Sequence, residues 1–185
     1  MPGPSALQRA APPIVRTGGI LTLDCGHVFG WAYAFPGDEP VYSHLILPKP
    51  NGKGFNIFRD WLIARIVDYQ PRLIVYEEPI LNHYGPAKTS LQTAQWLIGL
   101  YAHVVEIAFI QGVRCEPANV SQIKRFLTLD GKAKKGAMIA AIEACGWHPE
   151  TSDEADALAI LLWAEVQYAP KIRRNAGSFG PLFAG

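Results

Sequence analysis

Residues 20–47 read ILTLDCGHVFGWAYAFPGDEPVYSHLIL, and their pattern of apolar runs and short connections indicates the class of fold. Short apolar runs predict strands at 20–25, 30–35 and 41–47. The segment 36–40, PGDEP, has the proline and glycine content of a turn. Three consecutive strands joined by such short connections favour an antiparallel meander.

Helices and strands alternate after this meander. Apolar residues from Phe55 onward recur at helical spacing and predict an amphipathic helix that ends before Pro71. A buried strand is predicted at 73–76, a long helix at 89–111 and a fifth strand at 113–116. The long helix is apolar nearly all round, so it is expected to bury two faces. This order predicts an α/β fold with a mixed five-stranded sheet, three antiparallel strands then parallel strands, flanked by helices.

The last third of the chain is predicted to be helical. Asn119 and Gln122 have the spacing of a capping box and open a short helix. A second helix is predicted at 134–145. The last helix begins at Thr151 or the next residue and ends near Tyr168.

The two ends of the chain are predicted to lie outside the folded domain. Residues 1–17 lack periodicity and contain four prolines, which indicates a flexible arm. Residues 18–169 form one domain with a single core, and residues 170–185 form a flexible tail.

Composition predicts a folded cytoplasmic protein rather than a secreted or membrane protein. Hydrophobic residues make up 49% and charged residues 18% of the chain. No charge-free apolar run reaches the roughly 20 residues of a spanning helix, and the N-terminus lacks the apolar core of a signal peptide. Cys25, Cys115 and Cys145 form no CxxC pair, which argues against a disulfide framework and a zinc ribbon.

Charge is unevenly distributed although the net charge is only +1. Residues 124–135 hold one acid, Asp130, and five cations: Lys124, Arg125, Lys132, Lys134 and Lys135. Residues 150–156 hold only acids among their charged side chains: Glu150, Asp153, Glu154 and Asp156. A basic rim beside an acidic centre is what a metal-dependent nuclease requires, although two solvated charge clusters are the simpler alternative.

Four carboxylates are predicted to converge from separate segments. Asp24 ends the first strand and Glu77 ends the fourth, where ligands collect in open α/β sheets. Asp153 and Asp156 are three residues apart at the start of a helix, so they share a face. Carboxylate oxygens suit Mg²⁺ or Mn²⁺ rather than zinc. Turn and cap roles are the alternatives for these acids. Because Glu77 and Glu78 point opposite ways on a strand, only one of them can face the shared site.

Four segments resemble the motifs of the RuvC family of Holliday junction resolvases, in family order. The resemblance spans about residues 19–168, and its most specific part is the final helix. The matching segments are Leu23-Asp24-Cys25-Gly26 with Gly30-Trp31-Ala32, Ile74-Val75-Tyr76-Glu77, Val120 to Lys135 with its two lysines, and Asp153-Glu154-Ala155-Asp156-Ala157-Leu158-Ala159-Ile160.

This resemblance implies an RNase H-like fold and a DNA endonuclease that resolves four-way junctions by paired symmetric cleavage. It implies a homodimer joined through the helix at 89–111, and two Mg²⁺ ions per site, with Mn²⁺ as the alternative. The implied metal ligands are Asp24, Glu77, Asp153 and Asp156, with Lys135 as a further catalytic residue. The implied DNA-contacting residues are Lys124, Arg125, Lys132, Lys134, Lys135 and Tyr84.

The chain departs from the family pattern at two places. Cys25-Gly26-His27 lacks the threonine or serine that is common after the glycine, and no aromatic residue directly follows Glu77. Tyr84 or His83 could replace that aromatic. These departures leave open a looser nuclease that acts on branched DNA, flaps or RNA–DNA hybrids.

Two other classes of protein compete with a nuclease. Sugar kinases and actin-like ATPases also open with a D-x-G strand, but they need two domains, and 185 residues are too few for both. A non-catalytic junction-binding protein is the second competitor, and the presence of all four carboxylates disfavours it.

Overall fold

The predicted mixed sheet of five strands is confirmed. The structure, a computed structural model, describes residues 16–48, 50–79 and 89–175, of which 170–175 are described as backbone only. The strands are β1 (Ile20–Asp24), β2 (Val28–Ala34), β3 (Val41–Ile46), β4 (Leu73–Glu77) and β5 (Arg114–Ala118). Their order in the sheet is β3-β2-β1-β4-β5. The β3-β2 and β2-β1 pairs are antiparallel, whereas β1-β4 and β4-β5 are parallel.

Five helices flank this sheet within the described residues. They are α1 (Gly52–Tyr69), α2 (Leu91–Ile110), α3 (Val120–Thr128), α4 (Lys135–Ala144) and α5 (Ser152–Asn175). Side-chain caps explain where three of them begin, because Asn51, Ser90 and Asn119 each accept hydrogen bonds from backbone N–H groups of the first turn.

Helix α5 is longer than the sequence predicts. It runs through Pro170 to Asn175 rather than ending near Tyr168, although a proline usually ends or bends a helix. Helical backbone therefore extends past residue 169 into the segment predicted as a tail. Residues 1–15 of the predicted arm and 176–185 of the predicted tail lie outside the described residues.

Two apolar cores lie on opposite faces of the sheet. One lies under α1 and α2 and contains Leu21, Leu23, Phe29, Tyr33, Ile74, Phe58, Leu62 and Leu100. The other lies under α3, α4 and α5 and contains Ile20, Ala32, Val75, Ile123, Ile142, Leu158 and Leu161. Alternate residues of β1 supply each core, as the period of two of a strand requires. The central strands are thereby fixed from both sides.

Helix α2 buries only one of its two apolar faces in the monomer. Trp96, Leu100, Val104 and Ile107 are buried on the side that packs on the sheet and α1. The opposite side exposes a stripe of Ile98, Tyr101, Val105 and Phe109, the last 85% exposed. Within the described residues α2 is also the one helix whose length and composition would allow it to cross a bilayer.

Candidate active site

The structure brings the four predicted carboxylates into one cleft of about 320 Å³. Its lining consists of Asp24, Glu77, Asp153, Asp156, Lys124, Lys135, Val120 and Met138. The acids come from three separate segments of chain: the end of β1, the end of β4 and the first turns of α5. Two lysines and four acids thus surround a single space.

Strand pairing brings Asp24 and Glu77 together. Strands β1 and β4 are parallel neighbours in register at Leu23 and Tyr76, the residues just before the two acids. Both strands therefore end at the same edge of the sheet, and their terminal side chains meet there. The acid next to Glu77, Glu78, is exposed on the other side, as strand alternation requires.

A glycine on β2 lets the first turn of α5 approach the sheet. A Cβ atom on Gly30 would lie 1.9 Å from the carbonyl oxygen of Asp153, a distance no side chain could occupy. Farther along, the hydroxyl of Thr22 donates to the carbonyl oxygen of Ala157 at 2.8 Å and fixes α5 against β1. These two contacts hold the helix acids beside Asp24. The sequence motif that contains Gly30 does not by itself indicate this contact with α5.

A buried Glu154 anchors the same helix turn from the opposite side. Its Oε1 lies 2.7 Å from Nδ1 of His44 on β3, and its Oε2 accepts from the backbone N–H of Glu150 at 2.6 Å. His44 pairs in register with Gly30, so glycine and histidine contact the same helix start. Thr151 and Glu154 also have the spacing of a capping box, and Oγ1 of Thr151 accepts from the Glu154 N–H at 3.2 Å. Sequence analysis missed His44 because strand sequence carries no signal of a cross-element partner.

His44, Glu150 and Glu154 also have donor atoms within 4.8 Å of one another. This mixed nitrogen and oxygen group is separate from the cleft. Its two most enclosed members already satisfy each other through the 2.7 Å contact, so it serves here as an anchor.

The electrostatics of the cleft favour a bound cation. Burial, reinforced by repulsion from the other three acids, holds the pKa of Asp24 well above its usual range. Burial first and Asp156 second raise the pKa of Glu77 from 4.5 to about 7, against the attraction of Lys124 and Lys135. Burial also raises the pKa of Asp156. The carboxylates are therefore costly to ionise together without added positive charge.

The donor set of the cleft fits a hard divalent metal. All four acids of the cleft offer oxygen, and no histidine or cysteine lines the cleft among the described residues. Oxygen-only ligands suit Mg²⁺ or Mn²⁺. The raised pKa values agree with this fit, because a divalent cation would relieve the repulsion among the acids.

The basic residues predicted to contact DNA separate into two groups. Lys124 and Lys135 line the cleft, and Nζ of Lys135 donates to Oγ of Ser152 at 3.0 Å. Arg125, Lys132 and Lys134 are exposed outside it. Tyr84 and His83, the candidate replacements for the missing aromatic, lie outside the described residues.

Comparison with known proteins identifies the fold through structure alone. No protein-family model and no curated protein matches the chain. The structure is similar to that of Thermus thermophilus RuvC, with a TM-score of 0.62, 18% identity and coverage of 86% of this chain and 96% of that one. It is also similar to T. thermophilus RuvC in complex with a Holliday junction substrate, with a TM-score of 0.67, 19% identity and coverage of 84% and 97%.

A third similar structure comes from a eukaryote. The yeast mitochondrial Holliday junction resolvase Ydc2 matches with a TM-score of 0.57 and 12% identity, over 89% of this chain and 87% of that one. These identities are low, so what is shared is the arrangement of the backbone. The chain therefore has the RNase H-like fold of the RuvC-type Holliday junction resolvases.

Proposed function

We propose that this protein is a metal-dependent, structure-selective DNA endonuclease that resolves four-way junctions by paired symmetric cleavage. One observation carries the proposal: four carboxylates from three segments line one cleft together with two lysines. A structural role alone would not explain so many acids with raised pKa values in one place. The shared fold, and the Holliday junction bound by one of the similar structures, agree with it.

The residues of the cleft divide the chemistry among them. Asp24, Glu77, Asp153 and Asp156 would hold two divalent cations, and Asp24 is the acid whose pKa is raised by all three of the others as well as by burial. Such cations, when bound, activate water and stabilise the leaving 3′ oxygen. Lys135, held at the cleft by Ser152, neutralises charge on the scissile phosphate. The exposed cations of the rim bind the DNA arms, so binding should weaken as salt rises.

The homodimer is part of the same proposal. Paired cuts on two strands require two copies of the cleft, and the exposed apolar stripe of α2 is a surface that a second copy would cover. Light scattering should show that Phe109→Glu is a monomer. It should show that Val67→Glu, which changes an exposed residue of α1, is still a dimer. If the unaltered protein is a monomer at micromolar concentration, the dimer proposal is wrong.

Cleavage of labelled DNA tests the function directly. The panel holds a four-way junction, a three-way junction, a flap, a linear duplex and an RNA–DNA hybrid, each with Mg²⁺, Mn²⁺ or EDTA. Paired nicks confined to the four-way junction, absent in EDTA, are expected. Asp24→Asn should reduce the cleavage rate at least about a hundredfold. Loss of a residue that only orients a metal ligand costs about 10- to 100-fold, and loss of the ligand itself should cost more.

Asp60→Asn, an exposed acid on α1, is the matched control and should cleave normally. Equal cutting of all branched forms would indicate a looser debranching nuclease. Cutting of the hybrid alone would indicate an RNA–DNA nuclease, and binding without cutting would indicate a junction-binding protein. A folded Asp24→Asn variant with full activity would refute the metal site.

A further inference from the structure

The turn between α3 and α4 presents a leucine in an unfavourable conformation. Leu129 is the C-cap of α3, with φ 62° and ψ 2°, and its side chain is 90% exposed. Left-handed backbone is disfavoured for a leucine, and glycine or asparagine is usual where a helix ends in this way. Exposure adds a second cost, because the apolar side chain gains nothing from burial in the monomer.

Hydrogen bonds hold this turn in a fixed shape. The N–H of Leu129 donates to the carbonyl oxygen of Arg125 at 3.0 Å, and the hydroxyl of Thr128 donates to that of Lys124 at 2.8 Å. Oδ1 of Asp130 accepts from the N–H of Lys132 at 2.8 Å. These hydrogen bonds therefore fix the backbone of the turn that exposes the leucine side chain.

Exposed cations lie on both sides of the leucine along the chain. Arg125, Lys132 and Lys134 are all exposed on the same short stretch of chain. The acid of that stretch, Asp130, is engaged by the backbone of the turn itself. Phe126, 40% exposed and one helical turn before Leu129, extends the apolar surface. An exposed apolar side chain with cations before and after it in the chain is complementary to nucleic acid, which has charged strands and apolar bases.

The turn also lies next to the cleft. It connects α3, which contributes Lys124 to the cleft lining, with α4, which contributes Lys135. The turn is therefore the connection between the two lysines that line the cleft. Bases at a branch point are less completely stacked than those within an arm, so separating them costs less there.

We propose that Leu129, backed by Phe126, is an apolar wedge that inserts between bases at the branch point of the bound DNA. This inference rests on the proposed function and adds a residue that reads DNA structure. Apolar side chains that separate base steps are an established way for a protein to recognise and bend DNA. A second copy of this chain is a poorer occupant, because two such basic surfaces would repel each other.

The substitution Leu129→Asn tests the wedge without disturbing the fold. Leu129→Asn removes the apolar tip but tolerates left-handed backbone, so its melting temperature should equal or exceed that of the unaltered protein. The control is Val67→Asn, which removes an apolar side chain that is 61% exposed on α1, on the other face of the sheet. If junction binding weakens in Leu129→Asn but not in Val67→Asn, the cause is therefore a lost contact with DNA. Unfolding and a general loss of apolar surface would not explain it.

The probe is a four-way junction that carries 2-aminopurine beside the branch point, bound in EDTA so that it stays intact. The unaltered protein should increase the fluorescence as it unstacks the probe, and Leu129→Asn should lose most of that increase. Its affinity for the junction should fall about tenfold or more, the order expected for a leucine withdrawn from a buried contact. Its affinity for a linear duplex should not change.

Equal fluorescence and affinity in the two proteins would overturn the wedge while leaving the nuclease intact. A loss of self-association in Leu129→Asn, with DNA binding unchanged, would also overturn it, because the leucine would then contact another copy. If the unaltered protein neither prefers nor cuts branched DNA, the proposed function itself fails. Cleavage of the junction by the unaltered protein therefore distinguishes the two failures.

Discussion

Glu77→Gln should stabilise the metal-free protein while it abolishes cleavage. Glu77 lies in the cleft with a pKa raised by burial from 4.5 to about 7. A carboxyl group whose pKa is higher in the folded than in the unfolded protein stabilises the folded state at pH values below its unfolded pKa. This stabilisation is lost as the pH rises through its folded pKa. At pH 8 the ionised carboxylate of Glu77 therefore destabilises the folded state. The uncharged side chain of the Glu77→Gln variant removes this destabilisation.

The size of the effect follows from the shift. One pKa unit corresponds to about 1.4 kcal/mol, so the shift of Glu77 corresponds to about 3 kcal/mol in the free energy of unfolding. In a protein of this length each kcal/mol moves the melting temperature by about 2–4 °C. Glu77→Gln in EDTA should therefore melt up to about 10 °C higher than the unaltered protein at pH 8. The two proteins should melt alike near pH 4.5, where Glu77 is protonated.

Thermal melts in EDTA at several pH values between 4.5 and 8 measure this difference. Glu78→Gln is the matched control, because Glu78 is the exposed neighbour on the same strand end, and its curve should follow the unaltered protein. Adding Mg²⁺ should raise the melting temperature of the unaltered protein more than that of Glu77→Gln. If Glu77→Gln is no more stable than the unaltered protein at pH 8, the conclusion that burial raises the pKa of Glu77 is refuted.

Three further substitutions test how the cleft is assembled. Gly30→Ala places a Cβ against the start of α5 and should cost about 1–3 kcal/mol of unfolding free energy in urea titrations. His44→Ala leaves Glu154, only 3% exposed, without one partner, and should cost about 1–3 kcal/mol by the same assay. Lys135 lowers the pKa values of the cleft acids, so Lys135→Gln should shift the acid limb of the cleavage pH profile to higher pH.

Each of these substitutions has a control on the same chain. Gly52→Ala adds a Cβ that meets nothing, so stability should not fall as it does at Gly30. His44→Asn retains a donor for Glu154 and should recover part of the loss. Lys134→Gln removes an exposed neighbour of Lys135 outside the cleft lining and should leave the pH profile in place. Equal effects of a substitution and its control would contradict the corresponding assignment.

The sequence predicts the sheet and the convergence of its acids because both follow from local patterns. Period-two apolar runs and short turns specify the meander, and parallel strands that end in Asp24 and Glu77 must share an edge. The spacing of Asp153 and Asp156 places them on one helix face. The structure brings all four to one cleft.

The supports of that cleft were not predictable in the same way. The contact of Gly30 with α5 and the pairing of His44 with Glu154 join residues far apart in sequence, and neither leaves a periodic signal. The capping-box spacing of Thr151 and Glu154 explains Glu154 within its own helix turn. It gives no indication of the contact with His44. The left-handed conformation of Leu129 was also hidden, because leucine is not a residue that usually adopts it.

The hydrogen bond from Thr22 to Ala157 joins residues 135 positions apart in the chain. A nascent chain still short of α5 can form the meander with Asp24 but lacks Asp153 and Asp156. Because domains with such distant contacts complete folding only when both partners are present, the cleft forms only after translation has passed the final acids. A prematurely terminated product therefore lacks part of the acidic cleft, so on the proposed function translation errors in that region would yield inert fragments rather than a partly active enzyme.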